Sequence, residues 1–466
     1  MDRAMIRIQP VQGGGLQFLL DAPYDPEGRR AYNLGIDLAS ETWNGAQTID
    51  EQEDVVHRVG RNLFAELRQH PALERRVFTN LINVDRTEPT AIYFEVDHSD
   101  LDRLPWEALW HPTVGFLALE ERYPIARLQQ PSAPPKTAGY DFATPIRFMV
   151  ILSAASSDPA LRASALGEWT ALYETLKSAR GMLKSSWNLP ADDESFDVRV
   201  YVAEDDLRRR IEHQSDSWIK VSSITSLDAL QDAKKEFSPH LLHIFCHGSG
   251  ERLSVGTRAD WNSDEDGTID LSADNLARDL RYCWLISLNA CGSAAASGNS
   301  LGLARTLVIK GIPAAIGMRE RVDTRLAALL CRHFYSSLFD KVRSIELNTE
   351  QVIDWATCLW PLRERCALEY HPDSLPRDAQ KIAMRCYHWT LPVLYASSET
   401  FRLKRRRPRT QTRAELVTRA NKLKQQLALL PLLLDMPDAQ RLELGGVWSR
   451  EVTEIERQIA DMDDEA

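Results

Sequence analysis

Cys291 and His247 are the residues whose type and setting suggest chemistry. An apolar run, Trp284-Leu285-Ile286-Ser287-Leu288-Asn289-Ala290, leads to Cys291 and opens onto Gly292-Ser293-Ala294. A second, Leu241-Leu242-His243-Ile244-Phe245-Cys246, leads to His247-Gly248. Read as strands, the two runs deliver a thiol and an imidazole, each followed by glycine, to one edge of a parallel sheet. A thiol is only a few per cent ionised at neutral pH, so nucleophilic attack needs an imidazole to take its proton and later return it to a leaving amine. Open α/β sheets carry their sites at the carboxyl ends of the strands, and glycines there let a substrate backbone approach. The small residues after Cys291 suit a turn in which the amide N–H of Cys291 or Gly248 steadies an oxyanion. The competing reading is a buried structural thiol, since the chain holds seven cysteines and buried thiols are common. Cys246 and Cys331 are read as core on that ground.

The elements that must position this pair follow from periodicity. Strands are expected at Ala91–Val96, Ile146–Leu152 and Phe196–Tyr201, at the His247 and Cys291 runs, and at Ala314–Gly317. Helices are expected at Ala165–Lys184 and Ser300–Lys310. Strands alternating with helices predict an α/β fold, a mainly parallel sheet covered on both faces. The Pro-rich piece Gln130-Pro131-Ser132-Ala133-Pro134-Pro135-Lys136 is the best internal boundary. The expected organisation is an N-terminal α/β part over 1–140, a main α/β domain over 141–398, and a basic linker with a helical hairpin over 399–466. The hairpin rests on a stripe, Leu416, Ala420, Leu423, Leu427, Leu430, Leu434, which Pro431 should bend or end, and on a second stripe, Trp448, Val452, Ile455, Ile459, Met462. Thr412 and Glu415 form a candidate capping box ahead of the first stripe. The hairpin either docks on the rest of the chain or recruits a partner.

The residues around the pair resemble a known family. His243-Ile244-Phe245-Cys246-His247-Gly248 and Asn289-Ala290-Cys291-Gly292-Ser293 are similar to the His-Gly and Ser-Ala-Cys signatures of CHAT proteins, which are caspase-like peptidases. Leu104-Pro105-Trp106-Glu107-Ala108-Leu109, Gly115-Phe116-Leu117-Ala118-Leu119 and Ile125-Ala126-Arg127 resemble that family's upstream block. Gly311-Ile312-Pro313-Ala314-Ala315 and Tyr387-His388-Trp389-Thr390-Leu391-Pro392 resemble the elements after the cysteine. The resemblance implies a caspase-like fold and a cysteine endopeptidase acting on a protein substrate, with Cys291 as nucleophile and His247 as base. It also implies a regulated effector of bacterial defence or cell death, switched on by a separate sensor or activator protein. Asn289 stands where the family has serine, and Arg319-Glu320-Arg321-Val322-Asp323 where it has a Trp-x-Val-x-Asp segment. Asp323 then occupies the place of a carboxylate that binds a basic P1 side chain, or it caps the following helix. Arg319 and Arg321, on the same strand face, would neutralise it or select an acidic P1. His243 shares a face with His247 and either joins the pocket or orients its neighbours.

Composition narrows the alternatives. At 466 residues, 44% hydrophobic and 26% charged, the chain is ample for a large core. A net charge of -11 argues against general nucleic-acid or membrane adhesion, which draws on clustered Lys and Arg. No apolar run reaches a membrane span and no leader h-region follows Met1, so a cytoplasmic location is expected. No cofactor is indicated. Asn262, Asp264, Asp266 and Asp270 match the early positions of a calcium loop, with Ala273 where the loop needs glutamate, and the simpler reading is an acidic loop. The basic run Arg402 to Arg409 reads as a solvated linker, the alternative being a contact with nucleic acid or an acidic surface. Two other classes stay open: a protease-derived scaffold that no longer turns over, and a nucleotide-binding α/β protein, for which no glycine-rich phosphate loop is found.

Overall fold

The computed structural model describes residues 2–10, 16–21, 55–71, 73–79, 82, 89–97, 99–132, 140–154, 159–190, 194–257, 268–291, 293–295, 302–320, 324–369, 380, 383–384, 386–406, 413–432 and 438–464. They fall into two compact units, Met1–Arg406 and Arg407–Ala466.

The first unit is built on one sheet of eleven strands: β1 (Asp2–Pro10), β2 (Leu16–Asp21), β3 (Thr90–Val96), β4 (Ile125–Gln129), β5 (Ile146–Leu152), β6 (Phe196–Val202), β7 (Ile219–Ser223), β8 (Leu241–Phe245), β9 (Leu285–Asn289), β10 (Ala314–Met318) and β11 (Pro392–Ser397). Their order across the sheet is β7-β6-β5-β8-β9-β10-β11-β4-β3-β1-β2. Only β1/β2 and β10/β11 pair antiparallel. The Pro-rich segment therefore lies between two halves of a continuous sheet, joined edge to edge where β4 pairs with β11.

The central strands are nearly all apolar because both faces are covered. Their period of two sorts them into two cores. Phe148, Val150, Leu152, Leu241 and Leu285 face helices Pro159–Ser186 and Trp355–Glu369 and the helical stretch 324–343. Met149, Ile151, Leu242, Ile244, Ile286 and Leu288 face helices Leu227–Phe237 and Leu303–Ile309. Cys246 belongs to the second core and Cys331 to the first.

Buried polar groups tie the N-terminal strands to the rest. Trp106 stacks on Phe94, with ring centroids 4.8 Å apart, and its indole N–H donates to the Leu101 carbonyl at 2.9 Å. That packing presents Glu107 to Arg127 of β4 in a two-pronged pair, 3.0 Å from Nε and 2.9 Å from Nη2. Asp102 meets the same guanidinium, Arg305 and the Tyr395 hydroxyl. The upstream motif is thus the core's electrostatic anchor and lies outside the thiol–imidazole site.

The basic run departs from its expected role as a linker. Arg402–Arg405 is a strand pairing with Glu350–Val352 and Tyr140–Phe142. Arg402 bonds Glu350, Arg406 bonds Asp141, and Arg405 lies over the Trp187 ring. Carboxylates and an indole across the small sheet give these cations partners, so the first unit extends to Arg406. Arg407 and Arg409 lie outside the described residues.

The second unit pairs helices Arg413–Leu429 and Asp438–Asp464. Pro431 sits in a 3-10 turn, Leu430–Leu432, immediately after the first helix. Ala420, Leu423, Val452 and Ile455 form the core, flanked by Leu427 and Trp448. Thr412, Leu434 and the side chains of Leu416, Glu415, Ile459 and Met462 lie outside the described residues. Leu423→Asp is expected to unfold this unit, since it forfeits the ~3 kcal/mol of a buried leucine and buries a carboxylate besides. Limited proteolysis would then cut within 413–464 while the first unit resists. Among the described residues, no helix is long and apolar enough to cross a membrane.

Candidate active site

Adjacent parallel strands bring the pair together. β8 and β9 run in register, with Leu241 beside Leu285 and Phe245 beside Asn289. Two residues beyond the last pair stand His247 on one chain segment and Cys291 on the other. There β8 leaves the sheet, and His247–Ser249 turns into a hairpin with Arg252–Val255. Gly250, at φ +53°, supplies the left-handed position of the tight turn.

Gly248 is dictated by proximity. A Cβ on it would stand 2.6 Å from the Cys291 carbonyl oxygen and 3.0 Å from the Ala290 side chain, so only glycine lets the histidine loop lie against the cysteine turn. That turn is fixed from the other side. Buried Ser293 accepts the Met318 amide at 2.9 Å and donates to the Leu288 carbonyl at 3.1 Å, and the Ala294 amide donates to Met318. A Cβ on Gly317 would sit 2.9 Å from the Ala294 nitrogen. The small residues after Cys291 therefore reflect backbone packed on backbone.

His247 and Cys291 open onto one cavity of about 100 Å³, lined also by Ser153, Cys246, Asn289 and Ala327. Cys291 is half-buried, whereas the other six cysteines are buried. Burial pushes the neighbouring Cys246 thiol far above its ordinary range, and Glu168 and Cys291 push the same way. Of the two thiols lining the cavity, Cys246 is held neutral.

The remaining expected site residues scatter. His243 is wholly buried, its Nε2 2.6 Å from Glu168 Oε1 and its Nδ1 3.0 Å from the Tyr335 hydroxyl. Both ring nitrogens have buried partners, and His243 is not among the residues lining the cavity. Arg319 is likewise not among the residues lining the cavity. β10 ends at Met318, and the Arg319 guanidinium donates to Thr390 Oγ1 at 2.8 Å while its amide bonds the Leu391 carbonyl. Arg321 and Asp323 lie outside the described residues, as do Asn262, Asp264 and Asp266. Asp270 lies on the strand Ile269–Ser272, accepting from Ser254 at 3.1 Å with Arg252 nearby.

Glu168 was invisible to sequence reasoning, being one acidic residue on a helix far from either motif. With His243 and Cys331 it forms a group of metal-ligand types whose atoms lie within 4.8 Å of one another. Hydrogen bonding explains the geometry better. Two ligands on a tetrahedral zinc stand about 3.4 Å apart at bond lengths of about 2.1 Å, whereas His243 Nε2 and Glu168 Oε1 are at hydrogen-bond distance, 2.6 Å.

Residues 57–351 match the CHAT domain family. Among solved structures, the chain is similar to the Arg-specific cysteine proteinase gingipain R, at 9% identity over 76% of this chain and 75% of that one, TM-score 0.39. It is similar at 9% identity to the complex of the pro- and mature domains of RgpB from Porphyromonas gingivalis, over 76% of each chain, TM-score 0.37. The separase–securin complex of Saccharomyces cerevisiae gives 11% identity over 68% of this chain and 16% of that one, TM-score 0.29. No curated protein matches the chain. The fold is α/β, a mainly parallel sheet with helices on both faces; the family match spans well over half the sequence and contains both His247 and Cys291, so the chain belongs to the CHAT domain family.

Proposed function

We propose that the protein is a cysteine endopeptidase acting through Cys291 and His247. What supports this reading is that His247 and Cys291 line one cavity just past the paired strands β8 and β9, with Gly248 packed against the Cys291 carbonyl. His247 takes the thiol proton, Cys291 attacks the scissile carbonyl, and the tetrahedral oxyanion is steadied by the amide of Cys291 or Gly248. The imidazolium then protonates the leaving amine and water releases the acyl-enzyme. In an antiparallel hairpin closed by two residues, Ser249 and Arg252 form the hydrogen-bonded pair. The neighbouring Gly248 amide is thereby left unpaired by the ladder, which supports its oxyanion role. An electrophilic probe for thiol peptidases, followed by mapping of the modified peptide, tests the assignment: labelling at Cys291 is expected, and labelling confined to another cysteine would reject it.

Family resemblance supports a wider reading, a cytoplasmic effector of bacterial defence or cell death that waits for a separate activator. The 413–464 hairpin is the proposed docking element. Deletion after Arg406 removes it without touching the Arg402–Arg405 strand, and is expected to abolish activation while leaving probe labelling intact.

For specificity we propose Asp323 as the carboxylate that pairs with a basic P1 side chain. The hydrogen bond from Arg319 to Thr390 supports keeping Arg319 out of that pairing. Profiling a peptide library on activated enzyme is expected to show cleavage after Arg or Lys. An Asp323→Asn variant with unchanged selectivity would sink the assignment.

A further inference from the structure

Glu168 lies wholly buried on helix Pro159–Ser186, with no arginine or lysine among its hydrogen-bond partners within the described residues. Its Oε1 accepts from His243 Nε2 at 2.6 Å and from Asn289 Nδ2 at 2.7 Å. His243 precedes His247 by four residues on β8, and Asn289 precedes Cys291 by two on β9. One carboxylate oxygen thus bridges the strand that carries the imidazole to the strand that carries the thiol. The Tyr335 hydroxyl lies 3.0 Å from His243 Nδ1, so the imidazole is held at both nitrogens. A carboxylate so deep costs several kcal/mol in lost hydration. Apolar packing would fill the same space without that cost, so the group's value lies in geometry.

We infer that Glu168 is a positioning residue for the thiol–imidazole pair, fixing the ends of β8 and β9 relative to each other through His243 and Asn289. The inference rests on the dyad reading. Asn289 is its point of transmission, because that residue holds Glu168 through its side chain and also lines the cavity with Cys291. A shift of an ångström between the strand ends lengthens the path of the proton from Cys291 to His247, and misplacements of that size cost about 100-fold in rate.

The test is the pH profile of Cys291 alkylation by iodoacetamide on the full chain, read by peptide mass spectrometry, which requires neither substrate nor activator. Glu168→Ala is expected to slow alkylation at pH 7 at least ~10-fold and to move the midpoint of the profile upward. Glu168→Gln keeps an amide oxygen able to accept both bonds, and is expected within ~3-fold of the parent. Asn289→Ala should slow the reaction, and the double variant should be no slower than Glu168→Ala alone, since one link cannot be cut twice. A folded Glu168→Ala with the parent profile would overturn the inference, as would Glu168→Gln as slow as Glu168→Ala, or multiplicative effects in the double variant. Should Glu168→Ala not fold, Asn289→Ala decides, because it cuts the link while leaving the Glu168–His243 bond, and an unchanged profile overturns the inference. His247→Ala in parallel separates the two readings: if it alters the profile and the Glu168 and Asn289 variants do not, only the positioning role fails. If it does not alter the profile, the dyad and the positioning role fall together.

Discussion

Cys291→Ala and His247→Ala are each expected to reduce proteolysis by at least ~1,000-fold, with thermal midpoints within a degree or two of the parent. Each removes one member of a pair that acts as a unit, so the double variant should be little worse than either single. Stability should survive because neither side chain belongs to the core: Cys291 is half-buried and His247 exposed. Cys246→Ala is the control. That thiol is adjacent and lines the same cavity, yet burial holds it neutral, and its loss should leave activity within ~3-fold. Active-site titration combined with differential scanning calorimetry separates the outcomes. An inactive Cys246→Ala beside an active Cys291→Ala would reverse the assignment, and a Cys291→Ala variant that unfolded would make the residue structural.

The contrast between the two cysteines shows what the sequence could convey. Strand alternation alone puts Cys246 on the face opposite His243 and His247, and the two-core arrangement agrees, with Cys246 packed among Ile244, Leu253 and Leu288. The His-Gly and Cys-Gly endings were legible because strand, side chain and turn are contiguous in the chain. The register of β8 on β9 that brings the two endings to one cavity was not, since it depends on pairing between segments some forty residues apart. Glu168 was hidden for the same reason in stronger form: it meets His243 and Asn289 across sequence separations of 75 and 121, and no spacing rule spans such distances. The setting of Arg319 was not legible either, because placing 319, 321 and 323 on one face assumes a strand running through them. The strand stops at Met318, where β11 begins opposite it at Pro392, and past that point period-two alternation no longer governs where side chains point. The basic run misled differently. Its charge suggested a solvated linker, but Leu403 between Arg402 and Lys404 carries the alternation of a strand, buried against the first core.

The largest effect on stability is expected at Glu107→Ala, far from the thiol. Glu107 is completely buried and grips Arg127 with both oxygens, and the side chains of both are at most 2% exposed. Removing the carboxylate leaves a guanidinium in the core with Asp102, the Tyr395 hydroxyl and carbonyl oxygens as its remaining partners. Breaking one side of a buried pair in this way costs about 3–5 kcal/mol, and the remaining Asp102 contact argues for the lower end. The pair also carries a pH signature. Burial pushes the Glu107 carboxyl up, but Arg127, with Arg363 and Arg319 beyond it, outweighs burial and holds it below the ordinary 4.5. A carboxyl depressed in the folded state stabilises fully above its unfolded value, and that contribution drains away as pH falls through the folded one. The parent should therefore lose stability as pH drops below about 4.5, and Glu107→Gln, lacking the titrating group, should show a shallower fall over the same interval while being less stable at pH 7. Urea unfolding at a series of pH values measures both. Parallel pH curves for parent and Glu107→Gln would mean that the pair contributes nothing to acid sensitivity, and an unchanged midpoint at pH 7 would show that Asp102 alone compensates Arg127.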